Sequence, residues 1–260
     1  MTSPPPRVVR LRKGVGAVPR GDGLLQVGSD PARRVLLPDT TSIGLLLQQL
    51  QNGRVKHNPT TASVLNALDG AGLVVDIAEE RLLTEARAHT KISLRSPQEW
   101  RPLAETLLRE GGLAQARNDS SADVGLVISL GEPPREEHDL ALSADRPTLF
   151  VSVLDARVRV GPFVMPGATA CLRCVDAWVS EQDPGHRPAT PAPVPPDDLS
   201  PLLVHQALLS ATADLCSWAE GRQPRAWSAS LWYDEHLGVE EQRWPRHPHC
   251  GCCWGDELTG

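Results

Sequence analysis

Five of the six cysteines sit in two short motifs far apart in the chain: Cys171 and Cys174 in "CLRCVDAW", and Cys250, Cys252 and Cys253 in "RHPHCGCCW". A C-x-x-C turn directs two thiolates at one ion, and two such halves complete a tetrahedral zinc site. A fold that uses both must return the end of the chain to its middle. Spacing favours Cys250 with Cys253, which restores C-x-x-C, over the tighter C-x-C bite of Cys250 with Cys252. His247 and His249 also leave a Cys3His set compatible with the sequence. A closed structural zinc is preferred to a catalytic one, because four thiolates leave no open position. A thioredoxin-like role for Cys171-Leu-Arg-Cys174 fits less well: that motif belongs at a helix start after a strand, without a distant cysteine cluster. Cys216 stands alone in a predicted helix and reads as a small buried hydrophobe.

The 260 residues suggest two domains. Residues 1–6 are a proline-rich tail expected to be disordered. "RVVRLRKG", "GLLQVG" and "RRVLLPD" read as three small strands. "DTTSIGLLLQQLQNG" predicts a helix capped by Asp39 or a following Thr, with Ile43, Leu46, Leu47 and Leu50 on one face and a stop at Gly53. A second helix is expected from an Asn58 cap and Pro59, with Val64, Leu65 and Leu68 on one face and a stop near Gly70 or Gly72. A strand over residues 73–75 closes a winged-helix-like α+β domain at 7–78.

Residues 79–260 are expected to form an α/β domain. Residues 79–120 read mainly as helix, with a short strand at residues 92–94. "ADVGLVISL" and "RPTLFVSVL" are near-continuous apolar runs, as in strands buried on both faces. Residues 184–201 hold many prolines and no periodicity, which predicts a mobile loop. A helix from Ser200-Pro201 to Gly221 and a hairpin made by "RAWSASLWYD" and "LGVEEQRW" complete the reading.

"VGPFVMPGATACLRCVD", "QDPGHRP" and the terminal Trp-Pro-Arg-His-Pro-His-Cys-Gly-Cys resemble the C-terminal half of ThiF-like proteins from azole-modified peptide clusters. These are also described as TOMM precursor leader peptide-binding proteins or cyclodehydratase components. The resemblance covers roughly residues 145–260, and in its pattern the terminal pair matches Cys250 and Cys252, with Cys253 extra. The N-terminal unit resembles the PqqD-like peptide-recognition domain of such proteins. The resemblance implies a truncated ThiF-like α/β domain with a structural zinc, behind a domain that binds a leader peptide by strand addition. Candidate peptide contacts are then Arg34, Val35, Leu36 and Leu37 on the edge strand, with Thr61, Val64 and Leu68 on the neighbouring helix.

ThiF-like adenylating enzymes hold ATP on a glycine-rich strand-to-helix turn. No G-x-G-x-x-G or G-x-x-x-x-G-K-[ST] occurs here, so no ATP site is expected. The expected function is a non-catalytic subunit that binds a leader and presents the precursor to a YcaO-type, ATP-dependent cyclodehydratase. The alternative is a stand-alone adenylating or zinc-dependent enzyme. A winged-helix regulator fits poorly, because residues 60–69 carry no Arg or Lys and the chain's formal charge is −6. Neither a nucleic acid nor a membrane is an expected partner; the N-terminus lacks an apolar signal region, which places the chain in the cytoplasm. The resemblance adds a homodimer.

Overall fold

The structure, a computed structural model, describes residues 7–53, 55–56, 59, 61–187, 195 and 199–252. The chain divides into two compact units, Met1–Thr84 and Glu85–Gly260. The expected tail at 1–6, the Asn58 cap and most of the expected loop at 184–201 lie outside the described residues.

The first unit runs β1 (Val8–Leu11), β2 (Ala17–Pro19), β3 (Leu24–Val27), β4 (Val35–Pro38), α1 (Thr41–Gln51), β5 (Val55–Lys56), α2 (Ala62–Gly70) and β6 (Val74–Asp76). Two antiparallel three-stranded sheets result, ordered β5-β1-β6 and β2-β3-β4. The three strands read from the sequence correspond to β1, β3 and β4, and they do not share one sheet. β1 pairs instead with two strands more than 40 residues away, and β2, unread in the sequence, borders β3. Alternation along β1 turns Val9 and Leu11 inward, but alternation carries no information on partners.

Helix α1 starts where the Thr40 hydroxyl accepts the Ile43 N–H, and it buries Leu46, Leu47 and Leu50. Helix α2 begins at Ala62, later than Pro59 suggested, and Leu65 and Leu68 join the same core.

The second unit contains α3 (Ile77–His89) from Glu85 onward. Then come β7 (Lys91–Arg95), α4 (Arg101–Glu110), β8 (Ala114–Gln115), β9 (Val124–Leu130), α5 (Arg135–Ser143), β10 (Thr148–Leu154), β11 (Arg157–Val164), α6 (Leu172–Gln182), α7 (Pro201–Ala219), β12 (Ala229–Tyr233) and β13 (Val239–Arg243). They build one seven-stranded mixed sheet, β13-β12-β11-β10-β9-β7-β8. The four strands from β8 to β10 are parallel, and β11, β12 and β13 extend them antiparallel.

All seven residues of β9 are buried because both faces are covered. Leu126, Ile128, Leu149 and Val151 face a cluster with α4 and α7, while Val127 and Phe150 face one with α6. β11 and α5 escaped the sequence reading: β11 is interrupted by Gly161-Pro162, and α5 buries only His138 and Ala141. Gly161 has φ +105°, and a Cβ there would lie 2.2 Å from the Ala229 carbonyl oxygen, so β11 and β12 pack closely only with glycine at this point.

Candidate functional sites

The two cysteine motifs meet at the start of α6. Cys171 is its N-cap residue and Cys174 lies in its first turn. α5 holds this helix start from the side. The Leu172 N–H donates to His138 Nε2 (3.3 Å), the Arg173 Nε donates to Asp139 (2.9 Å), and Arg135 donates to Asp176 (2.7 and 2.5 Å). Burial pushes the His138 pKa down, which keeps the imidazole neutral with Nε2 free to accept. Asp139 is lowered to about 2, chiefly by its bond from Arg173.

The end of the chain returns from β13 onto the same helix. Trp178 donates from its indole nitrogen to the Pro245 carbonyl (2.8 Å) and packs edge-on against His247 (centroids 4.7 Å apart). His247 Nε2 donates to Glu181 (3.0 Å), and its Nδ1 accepts the His249 N–H (3.2 Å). Both His247 ring nitrogens are therefore engaged in positioning the turn, and the His247 carbonyl accepts the Cys250 N–H. His247 and His249 stand out in the sequence as possible ligands, whereas their structural roles and those of His138, Trp178 and Glu181 are revealed only by contacts between distant segments.

The Sγ atoms of Cys171, Cys174, Cys250 and Cys252 all lie within 4.8 Å of one another. Cys171 is 3.7 Å from Cys174 and 3.4 Å from Cys250, and Cys174 is 3.5 Å from Cys252. A tetrahedron of thiolates about 2.3 Å from a central zinc has edges of about 3.8 Å, close to these separations. The group could hold a metal ion. Cys253 lies outside the described residues.

The electrostatics agree with a need for a cation. The Cys171 thiol donates to Cys174 and is buried, which pushes its pKa far above the ordinary thiol range; Cys174, accepting that bond, is lowered to about 4. Burial also raises Cys250. Without a central positive charge, Cys171 and Cys250 resist ionising. The motif does sit at a helix start after a strand, as redox cysteines do. The second cysteine pair packed against it distinguishes it from that arrangement.

The candidate peptide contacts of the first unit divide by burial. Leu37 (6% exposed) and Leu68 (0%) are filled into the core, so their side chains cannot also line a groove. Arg34 and Leu36 are exposed, and Val35, Thr61 and Val64 are half-buried. β4 is an edge strand, and α2 packs beside it.

Two cavities open at the C-terminal ends of the parallel strands. The strand order reverses between β7 and β9, the place where open α/β sheets bind ligands. A cavity of about 390 Å³ lies there, lined by Arg95, Ser96, Pro97, Arg101, Ser129 and Glu137 among others. The turn after β7 carries Pro97, and Arg95 is bound to Asp119 and Glu137. A second cavity, of about 470 Å³, lies against α6, Trp232 and Trp244. On its wall the buried Arg159 donates twice to Glu132 (2.7 and 2.8 Å) and lies 5.4 Å from the Trp232 ring centre.

Fold and sites together define an α/β unit with a doubly wound parallel half and a four-cysteine cluster, preceded by a small α+β unit. No family model and no curated protein matches the sequence. Solved structures do match. The heterocyclase TruD superposes with a TM-score of 0.67 at 16% identity, over 95% of this chain and 43% of its own. A heterocyclase in complex with substrate and cofactor gives 0.66 at 14%, over 95% and 39%. E. coli MccB with MccA-N7isoASN gives 0.63 at 12%, over 95% and 99%. The chain thus spans less than half the length of the two heterocyclases and nearly all of MccB; at these identities the likeness is one of fold.

Proposed function

We propose that this chain is a non-catalytic recognition subunit that binds the leader of a ribosomal precursor peptide and presents it to a YcaO-type, ATP-dependent cyclodehydratase forming azolines. The observation that carries this reading is that β4 is an edge strand beside α2, in a chain that shares its fold with two heterocyclases. An extended leader adding a strand there would gain main-chain hydrogen bonds from the edge and selectivity from Leu36, Val64 and Thr61. In this reading residues 7–78 act as a winged-helix, PqqD-like domain and residues 79–260 as a degenerate ThiF-like domain. Tethering the leader would make each ring closure on the partner effectively intramolecular. The protein would work in the cytoplasm, as a homodimer.

The metal in this reading is zinc. Four thiolates suit a soft tetrahedral ion and leave no position for water, so the ion would fasten the chain's end to α6 and supply no catalysis. The test is fluorescence polarisation of a labelled leader from the precursor-like peptide encoded nearest the gene, against a scrambled leader. Micromolar or tighter binding, lost in Leu36→Asp with circular dichroism unchanged, supports the reading; equal or absent binding of both peptides rejects it.

A stand-alone adenylating enzyme is the second reading, favoured by the match to nearly the whole of MccB and by the open cavity at the strand-order reversal. ATP–pyrophosphate exchange above that of an Arg95→Ala, Arg101→Ala variant would support it.

A further inference from the structure

Charge is divided unevenly along this chain. Residues 1–84 hold ten Arg and Lys against seven Asp and Glu, a formal +3, so the remaining residues carry −9 of the total −6. Many cations of the first unit are already neutralised: Arg7 pairs with Asp69 and Asp76, Arg10 with Glu80, and Arg20 with Asp22. Among the described residues, Arg33 and Arg34 are less engaged. Arg34 opens β4, is exposed, and makes no side-chain bond among the described residues. Arg33 reaches Asp30 only at 3.9 Å with its side chain 74% exposed.

Arg12 approaches the same place from β1. Its N–H bonds the Leu73 carbonyl, and its Nε donates to the Gly72 carbonyl at the end of α2. Gly28 connects the two arginines: a Cβ on it would touch both the Leu73 side chain (3.2 Å) and the Arg34 Cα (3.7 Å). Arg12 and Arg34 therefore approach the turn after α2 from two sides, at the start of the edge strand β4, with Lys13 and Arg33 next to them in sequence. The opposite face of the same strand is apolar, with Leu37 buried and Val64 of α2 packed half-buried against the same core.

We propose that the β4 edge selects an acidic, alternately apolar peptide segment, with its carboxylates on the face of Arg34 and Arg12 and its apolar side chains on the opposite face, against Val64. This rests on the reading that the edge takes a leader, and it adds the chemical class of that leader. Exposed charges that find no partner within the fold cost nothing to leave in water, yet they favour a carboxylate brought beside them and disfavour an ammonium group. The strand pairing supplies sequence-independent affinity; the arginines supply the sign.

The test uses the full-length protein and three fluorescein-labelled synthetic 14-residue peptides that share alternating Leu and Val positions and carry Glu, Gln or Lys at the polar ones. The leader from the neighbouring precursor gene is measured alongside. The Glu peptide should bind about tenfold more tightly than the Gln peptide, and the Lys peptide more weakly still, the advantage shrinking with added salt. Arg34→Glu, which breaks no side-chain bond, should remove most of the Glu preference, and the double change with Arg12→Glu should reverse it. Equal binding of the three peptides, binding of none of them, or an order unchanged in the double variant would overturn the inference. A natural leader that binds wild type and double variant alike overturns the charge selection and leaves the leader-binding reading standing; a leader that binds neither rejects both.

Discussion

The two units hold themselves together by different means. Residues 1–84 have one core, made where Leu46, Leu47 and Leu50 of α1 and Leu65 and Leu68 of α2 meet alternating residues of two small sheets. No cross-link reinforces it among the described residues, and β4 is an edge strand. Residues 85–260 bury apolar clusters on both faces of one large sheet and add a cysteine cluster at the end of the chain. The smaller unit thus ends one sheet in the edge strand β4, while the larger gathers four cysteines that could hold an ion between α6 and its last described segment. A small sheet with an open edge suits recognition; a stapled one suits a fixed platform.

The sharpest way to break this comparison is to remove the staple. Cys174→Ala, or a strong chelator, should unfold the C-terminal segment, since structural zinc in small domains contributes roughly 10–16 kcal/mol of apparent binding free energy. Hydrogen exchange should show lost protection around α6 and β13 with α1 and α2 still protected; simultaneous loss in both units would refute the division. Metal analysis of the purified protein should give one zinc per chain.

A smaller effect is expected at the ion pair on the wall of the larger cavity. Arg159→Ala removes the bidentate partner of the half-buried Glu132, which keeps only Arg135 (3.3 Å), and should destabilise the second unit by about 2–3 kcal/mol in denaturant unfolding. Burial alone would raise the Glu132 pKa, but the Arg159 hydrogen bonds and charge lower it, so the pair's contribution is present at neutral pH and fades on acidification through the carboxylate range. In the first unit, Leu68→Ala should cost about 2–5 kcal/mol by opening a cavity at a position with 0% exposure. That transition should shift alone, with zinc retained.

The finest test concerns protons. Because Cys171 and Cys250 resist ionisation in the cluster, metal binding must displace protons, and the apparent affinity should rise with pH across the neutral range and fall as the solution is acidified. Competition with a chromophoric chelator at three pH values measures the slope. A flat profile would mean that the thiolates are already formed.

The sequence by itself determined what depends on neighbours along the chain. The periodicity of residues 43–50 marks α1, the apolar runs mark β9 and β10, a Pro after Ser200 marks the start of α7, and the polar turn between two strand-like segments marks the β12–β13 hairpin. The cysteine spacings announced a shared site in the same local way. Tertiary structure decided the rest. It chose β5 and β6 as partners of β1, put Cys252 against Cys174, buried Leu37 and Leu68, and enlisted His138, Trp178 and His247 around the cysteines. Strand partners, burial and hydrogen bonds between distant segments are settled by which surfaces meet, and the period of a strand or helix says which face is apolar without saying what will cover it.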